Sequence, residues 1–135
     1  MTIDTGTGAA YQLGYARSSG PAGGLESQID ALVDVGVEPA RIYSDKADDT
    51  SPTAARSGWA ALLAYARPGD TTVVVGIDRL GRTAPEVLAS TLELTRRQIG
   101  LRSLREGLDS EDPVGATIIN VLASLATIDE EAGGS

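Results

Sequence analysis

The segment Thr72 to Ile77 is an almost unbroken run of β-branched residues, interrupted only by Gly76. No polar residue alternates through it, and a strand of that kind is covered on both faces. A doubly covered strand belongs to a mostly parallel sheet with helices above and below. The rest of the chain supplies matching pieces. Tyr11 to Ala16, Arg41 to Ser44 and Leu101 to Leu104 read as three further short strands. Between them, Leu25, Ile29, Leu32 and Val33 recur at helical spacing until Gly36. A second helix, from about Arg56 to Ala66, is expected to bury Trp59, Leu62 and Leu63 and to stop before Pro68-Gly69. Thr83 and Glu86 form a capping box with Pro85 in the first turn, opening a third helix that carries Val87, Leu88, Leu92 and Leu94 and ends before Gly100. The alternation predicts an α/β fold, a mostly parallel four- or five-stranded sheet with helices on both faces.

The 135 residues suffice for one domain with a sizeable core. The expected organisation is a flexible lead-in over 1–10, the domain over 11–131 and a flexible tail over 132–135. Ser18 to Gly24 reads as a Gly/Pro loop, and Lys46 to Ala55, with Asp48, Asp49, Ser51 and Pro52, as a mobile polar loop. The chain has no cysteine and no histidine. That rules out disulfides and a Ser-His-Asp hydrolase, and leaves no expectation of a metal or cofactor. No apolar run is long enough to span a bilayer and Met1 to Ala10 lacks the features of an export signal, so no membrane partner and a cytoplasmic address are expected.

Two motifs follow predicted strands, where open α/β folds place their sites. Tyr15-Ala16-Arg17-Ser18-Ser19 and Asp78-Arg79-Leu80-Gly81-Arg82 together offer a hydroxyl nucleophile and three guanidiniums. Arginines clamp phosphate oxygens bidentately and keep their charge, so this set suits phosphoryl transfer better than acyl transfer. Taken singly, a serine in a Ser-Ser-Gly turn is commonly held by backbone, and Arg17, Arg79 and Arg82 could simply pair with Asp45 or Asp78.

The whole pattern resembles the resolvase/invertase family of serine recombinases. The family's Tyr-Ala-Arg-x-Ser followed by Gln is similar to Tyr15 to Ser19 and Gln28, and its Arg-Ile-Phe-x-Asp to Arg41-Ile42-Tyr43-Ser44-Asp45. Arg56-Ser57-Gly58, Pro68-Gly69-Asp70, Asp78 to Arg82 and Arg102-Ser103-Leu104-Arg105-Glu106 match further segments in the same order. The resemblance covers roughly residues 11 to 129. It implies a resolvase-like catalytic domain in which Ser19 attacks a DNA phosphodiester, giving a 5′-phosphoserine link and a free 3′ hydroxyl, with strand exchange and rejoining to follow. By the same resemblance Arg17, Arg79 and Arg82 hold the phosphate, Arg56 joins them when its loop closes, and Asp78 orients arginines or moves a proton. Gln28, Asp45 and Tyr15 stand in support. With no histidine, the base that takes the Ser19 proton is an arginine or Asp78.

The last helix carries Val114, Ile118, Val121, Leu122, Leu125 and Ile128 at spacings of 3 and 4, after a cap at Ser110 or Asp112 and with Pro113 in its first turn. Periodicity alone favours packing on the chain's own sheet. The resemblance instead implies an interface helix, a homodimer, and a tetramer during recombination. The chain also departs from the family pattern. Val75-Gly76-Ile77 stands where a lysine is common, Tyr65 where some relatives carry a basic residue, and Asp129-Glu130-Glu131 where the final helix usually turns basic.

The net charge is −8, and residues 99–135 hold seven acidic against two basic side chains. With no length after residue 131 for a helix-turn-helix, this chain alone is expected to bind double-stranded DNA weakly. The catalytic reading therefore stands beside a second, a recombinase-like module that dimerises or regulates without cutting DNA.

Overall fold

The computed structural model describes residues 10–19, 24–47 and 56–133, with side chains for all of these except 19, 47 and 127–133. The expected lead-in over 1–10, most of the Ser18 to Gly24 and Lys46 to Ala55 loops, and the end of the tail lie outside the described residues.

Five strands form one sheet in the order β2-β1-β3-β4-β5: β1 (Gln12–Ser19), β2 (Ile42–Ala47), β3 (Thr71–Val74), β4 (Gly100–Ser103) and β5 (Leu108–Asp109). The first four run parallel, and β5 pairs antiparallel with β4. Among the described residues four α-helices complete the fold: α1 (Leu25–Asp34), α2 (Ser57–Tyr65), α3 (Ala84–Arg96) and α4 (Pro113–Gly133).

The period of two along β1 sends Leu13 and Tyr15 to one face and Gly14 and Ala16 to the other. Leu13 and Tyr15 pack with Trp59 and Leu62 of α2, Leu94 of α3 and Ile119 of α4. Ala16 packs with Leu32 of α1, Val37 and Val73. Helices therefore cover both faces, as the unbroken run of β3 requires. The chain leaves β1 through α1 to reach β2 on one side, then returns through α2 to β3 on the other. That reversal makes the carboxyl ends of β1 and β3 the topological switch point, the crevice where α/β sheets hold ligands.

Four boundaries differ from expectation. β1 runs on to Ser19 because the polar residues Arg17, Ser18 and Ser19 stay in register with Asp45, Lys46 and Ala47 of β2. Backbone pairing, not side-chain apolarity, extends it. β2 itself starts at Ile42, after Pro39–Arg41 closes a 3₁₀ turn, and it includes Lys46, expected in a loop. β3 stops at Val74, and Ile77–Leu80 forms a 3₁₀ turn that keeps Leu80 buried in the core. The apolar run thus outlasts the strand because it also anchors the turn. β4 begins one residue early, at Gly100, and ends at Ser103.

The capping of α3 follows the sequence closely. Thr83 accepts from the Glu86 N–H, while the Glu86 carboxylate accepts from Arg82 N–H at 2.8 Å, one residue before the position a capping box would use.

The packing side of α4 contradicts the periodicity reading. Ile119, Ala123 and Ala126 are buried, and Ala123 and Ala126 pack with Leu92 and Leu88 of α3. Val114, Ile118, Val121 and Leu125 are exposed, at 71, 44, 53 and 46%. Leu122 lies between the two sides, and the Ile128 side chain is outside the described residues. Small residues let α4 sit close: a Cβ on Gly115 would fall 2.0 Å from the Asp109 carbonyl oxygen. Among the described residues no helix is long and apolar enough to cross a membrane.

Candidate active site

Arg17 stands two residues before the end of β1 and is 5% exposed. Gln28 on α1 holds its main chain from both sides, accepting from Arg17 N–H at 3.0 Å and donating to Arg17 carbonyl at 2.9 Å. The same carbonyl accepts from Arg79 Nη1 at 2.7 Å. One peptide group thus links α1, β1 and the 3₁₀ turn after β3. Gln28 and Arg79 set the backbone from which the Arg17 side chain projects.

Asp45 occupies the matching position on β2. Its carboxylate accepts from Tyr15 hydroxyl at 2.7 Å and from the N–H groups of Gly58 and Trp59 at 2.8 and 3.0 Å. Those are free donors of the first turn of α2, which has no capping side chain of its own, so Asp45 caps the helix from a neighbouring strand. The close fit needs glycine at 58, where a Cβ would lie 2.2 Å from Ser44 carbonyl oxygen. Burial, with the Asp45 carboxylate next, pushes the Tyr15 hydroxyl up to about 12, so it stays a donor at any ordinary pH.

The cap fixes Arg56 at the residue just before α2. Its guanidinium lies 5.6 Å from the Tyr15 ring centre and 5.1 Å from that of Trp59, and those rings meet edge to face at 5.0 Å. Nη1 donates to Ser90 Oγ at 3.3 Å, and Ser90 in turn donates to Leu80 carbonyl at 2.7 Å. Arg56 Nε and Nη2 are buried with no hydrogen-bond partner, and so is Arg17 Nε. Burial, with the nearby charges of Arg56 and Arg82 adding to it, lowers the affinity of Arg17 for its proton, while Tyr15 and Glu86 oppose the shift.

Buried donors in folded proteins are nearly always satisfied. Three guanidinium nitrogens, two on Arg56 and one on Arg17, depart from that rule. The structure therefore brings Arg17, Arg56 and Arg82 into one electrostatic neighbourhood. Arg79 pairs with Asp78 at 3.1 Å and spends Nη1 on the Arg17 carbonyl. The hydrogen bond from Arg79 holds Asp78 below the usual carboxylate range, against some burial and with help from Arg105.

Ser18 is 2% exposed, and Ser19 is the last residue of β1. The Ser19 side chain, and with it the expected convergence of arginines on its hydroxyl, lies outside the described residues. Three contributors were not singled out by sequence. Ser90 and Trp59 reach Arg56 across the fold, without any local signal. Arg105 lies in a matched segment, but nothing there marked it as a partner of Asp78.

The domain thus carries buried guanidinium nitrogens of Arg17 and Arg56 that lack acceptors. Comparison with known proteins then gives the family. The family model for the resolvase N-terminal domain matches residues 12–133. The chain is 32% identical over 113 residues to R46 site-specific recombinase of Escherichia coli, covering 84% of this chain and 58% of that protein. It is 34% identical over 119 residues to serine recombinase gin of Escherichia phage Mu, covering 88% and 60%. The fold is similar to the N-terminal catalytic domain of TP901-1 integrase, with TM-score 0.63, 19% identity and 90% and 98% of the two chains covered. The chain belongs to the resolvase N-terminal domain family, and it spans 58% and 60% of the two curated relatives just named.

Proposed function

We propose that this chain is the catalytic domain of a site-specific DNA recombinase, with Ser19 as nucleophile. The observation that carries the reading is the set of buried, unpartnered nitrogens on Arg17 and Arg56, beside the charge of Arg82. A DNA phosphate supplies the missing acceptors. The Ser19 oxygen forms a bond to phosphorus, the bond to the 3′ oxygen breaks, and the departing oxygen takes a proton to become a 3′ hydroxyl. The three arginines hold the non-bridging oxygens as charge builds. Asp78 acts as an orienting group for Arg79, because a carboxylate held below its usual range is a weak base. Tyr15, Asp45 and Gln28 touch no phosphate; they fix the two strand ends and the start of α2.

The polarity of cleavage tests this. Supercoiled DNA carrying a site for the reading domain fused to this chain should yield protein on the 5′ ends and a 3′ end that a polymerase extends. Ends that resist extension, or broken DNA without attached protein, would overturn the mechanism. A fold that assembles yet never attaches to DNA would favour the regulatory module.

The second copy of the chain is the proposed occupant of the exposed α4 stripe. Four large apolar residues on one side of a 21-residue helix form a patch that a lone domain rarely exposes. Val121→Asp with Leu125→Asp should shift the sedimentation coefficient to that of a monomer without loss of helical signal, since neither residue supports the core. An unchanged coefficient, dimer or monomer alike, would remove this assignment.

A further inference from the structure

Arg105 lies in the turn from β4 to β5 and folds back over the end of β3. Its N–H donates to Val75 carbonyl at 2.8 Å, which hangs the turn on the strand. Its guanidinium covers Gly76, where a Cβ would fall 2.5 Å from both Cζ and Nη2. From there Nη2 reaches Asp78 Oδ1 at 3.0 Å and Glu106 Oε2 at 3.0 Å. Glu106 also accepts from Ile77 N–H at 3.2 Å and from the Ser103 hydroxyl. The first two residues of the 3₁₀ turn are therefore held by this pair, and Asp78 passes the constraint to Arg79 and so to the Arg17 carbonyl.

We propose that Arg105, seated in the space that Gly76 leaves open, is the positioning cation of the site: through Asp78 it fixes the Arg79 guanidinium against the main chain of Arg17. This rests on the reading of Arg17 as part of a phosphate site, with Arg79 bracing its main chain. It also bears on the departure at Val75-Gly76-Ile77, the stretch where a lysine is common in the family pattern. A side chain added at position 76 would enter the volume that the Arg105 guanidinium fills beside the Asp78 carboxylate. The backbone at Gly76 is extended, with φ −159°, which any residue adopts. The three atoms nearest to a Cβ there all belong to the end of the flexible Arg105 side chain.

The test is an exchange of the two positions. Arg105→Ala, Arg105→Lys, Gly76→Lys and the Arg105→Ala/Gly76→Lys double variant are compared by carbon NMR titration of the Asp78 carboxyl, by the Arg79 Nε–H resonance and by yield of the covalent DNA adduct. Arg105→Ala should raise the Asp78 titration towards the ordinary carboxylate value, broaden the Arg79 resonance and lower adduct yield by up to about fivefold, the scale of a half-exposed ion pair. The double variant and Arg105→Lys should restore all three. Asp78 and Arg79 signals unchanged in Arg105→Ala, or lost in it and not recovered in the double variant, would overturn the proposal. Signals that respond as expected in a protein that never forms an adduct would support the positioning and instead refute the DNA-cutting reading.

Discussion

Replacing Arg56 with methionine should cut adduct formation by about 10²–10³-fold, the loss typical of a preorganised charge at a reacting centre, yet leave the free protein as stable as before or more so. Two guanidinium nitrogens of Arg56 are buried without partners, and Arg17 adds a third nearby. An unmatched buried donor costs on the order of 1–3 kcal/mol, and like charges in one pocket add repulsion. Methionine keeps an apolar stem against Tyr15 and Trp59 and removes the charge. A gain of about 1 kcal/mol would raise Tm by roughly 3–6 °C in a domain of this size. Inorganic phosphate should show the converse. It should stabilise the wild type by binding the folded state alone, and should stabilise Arg56→Met and Arg17→Met much less. Calorimetry with and without phosphate checks both parts. A large fall in Tm for Arg56→Met with an unchanged phosphate effect would make these arginines structural.

Much of the architecture was legible because it rests on local pattern. The β-branched run of β3, the helical spacing of Leu25, Ile29 and Leu32, and the Thr83 cap all report forces acting within a few residues. What was misread depends on distant partners. Arg17 to Ser19 are polar, yet they extend β1 because β2 offers a ladder to them. On α4, periodicity picked out the largest apolar residues, whereas the buried side is made of Ile119, Ala123, Ala126 and Gly115, chosen for close approach to α3 and to Asp109. A reading weighted by hydrophobicity sees the exposed stripe and misses the seam. The site divides in the same way. Sequence placed Arg79, Arg82 and Asp78 after the correct strand and Arg17 just beyond β1 rather than within it, and the contacts of Arg79 and Arg56 span 62 and 34 residues.

Ser19→Ala should abolish the covalent link, a loss of roughly 10⁴-fold or more for removal of a nucleophile, while Ser18→Ala should retain most of it. The two serines are neighbours in β1, and the two-residue repeat of a strand gives Ser18 the face of Ala16 and not that of Arg17 and Tyr15. Ser18 is buried, at 2% exposure. Its replacement removes a hydroxyl from the side packed by α1, with a modest effect on stability. The most direct measurement is to trap the adduct, digest the protein and locate the phosphonucleotide by mass spectrometry. The account predicts it on Ser19; a nucleotide on Ser18 or any other residue would contradict it.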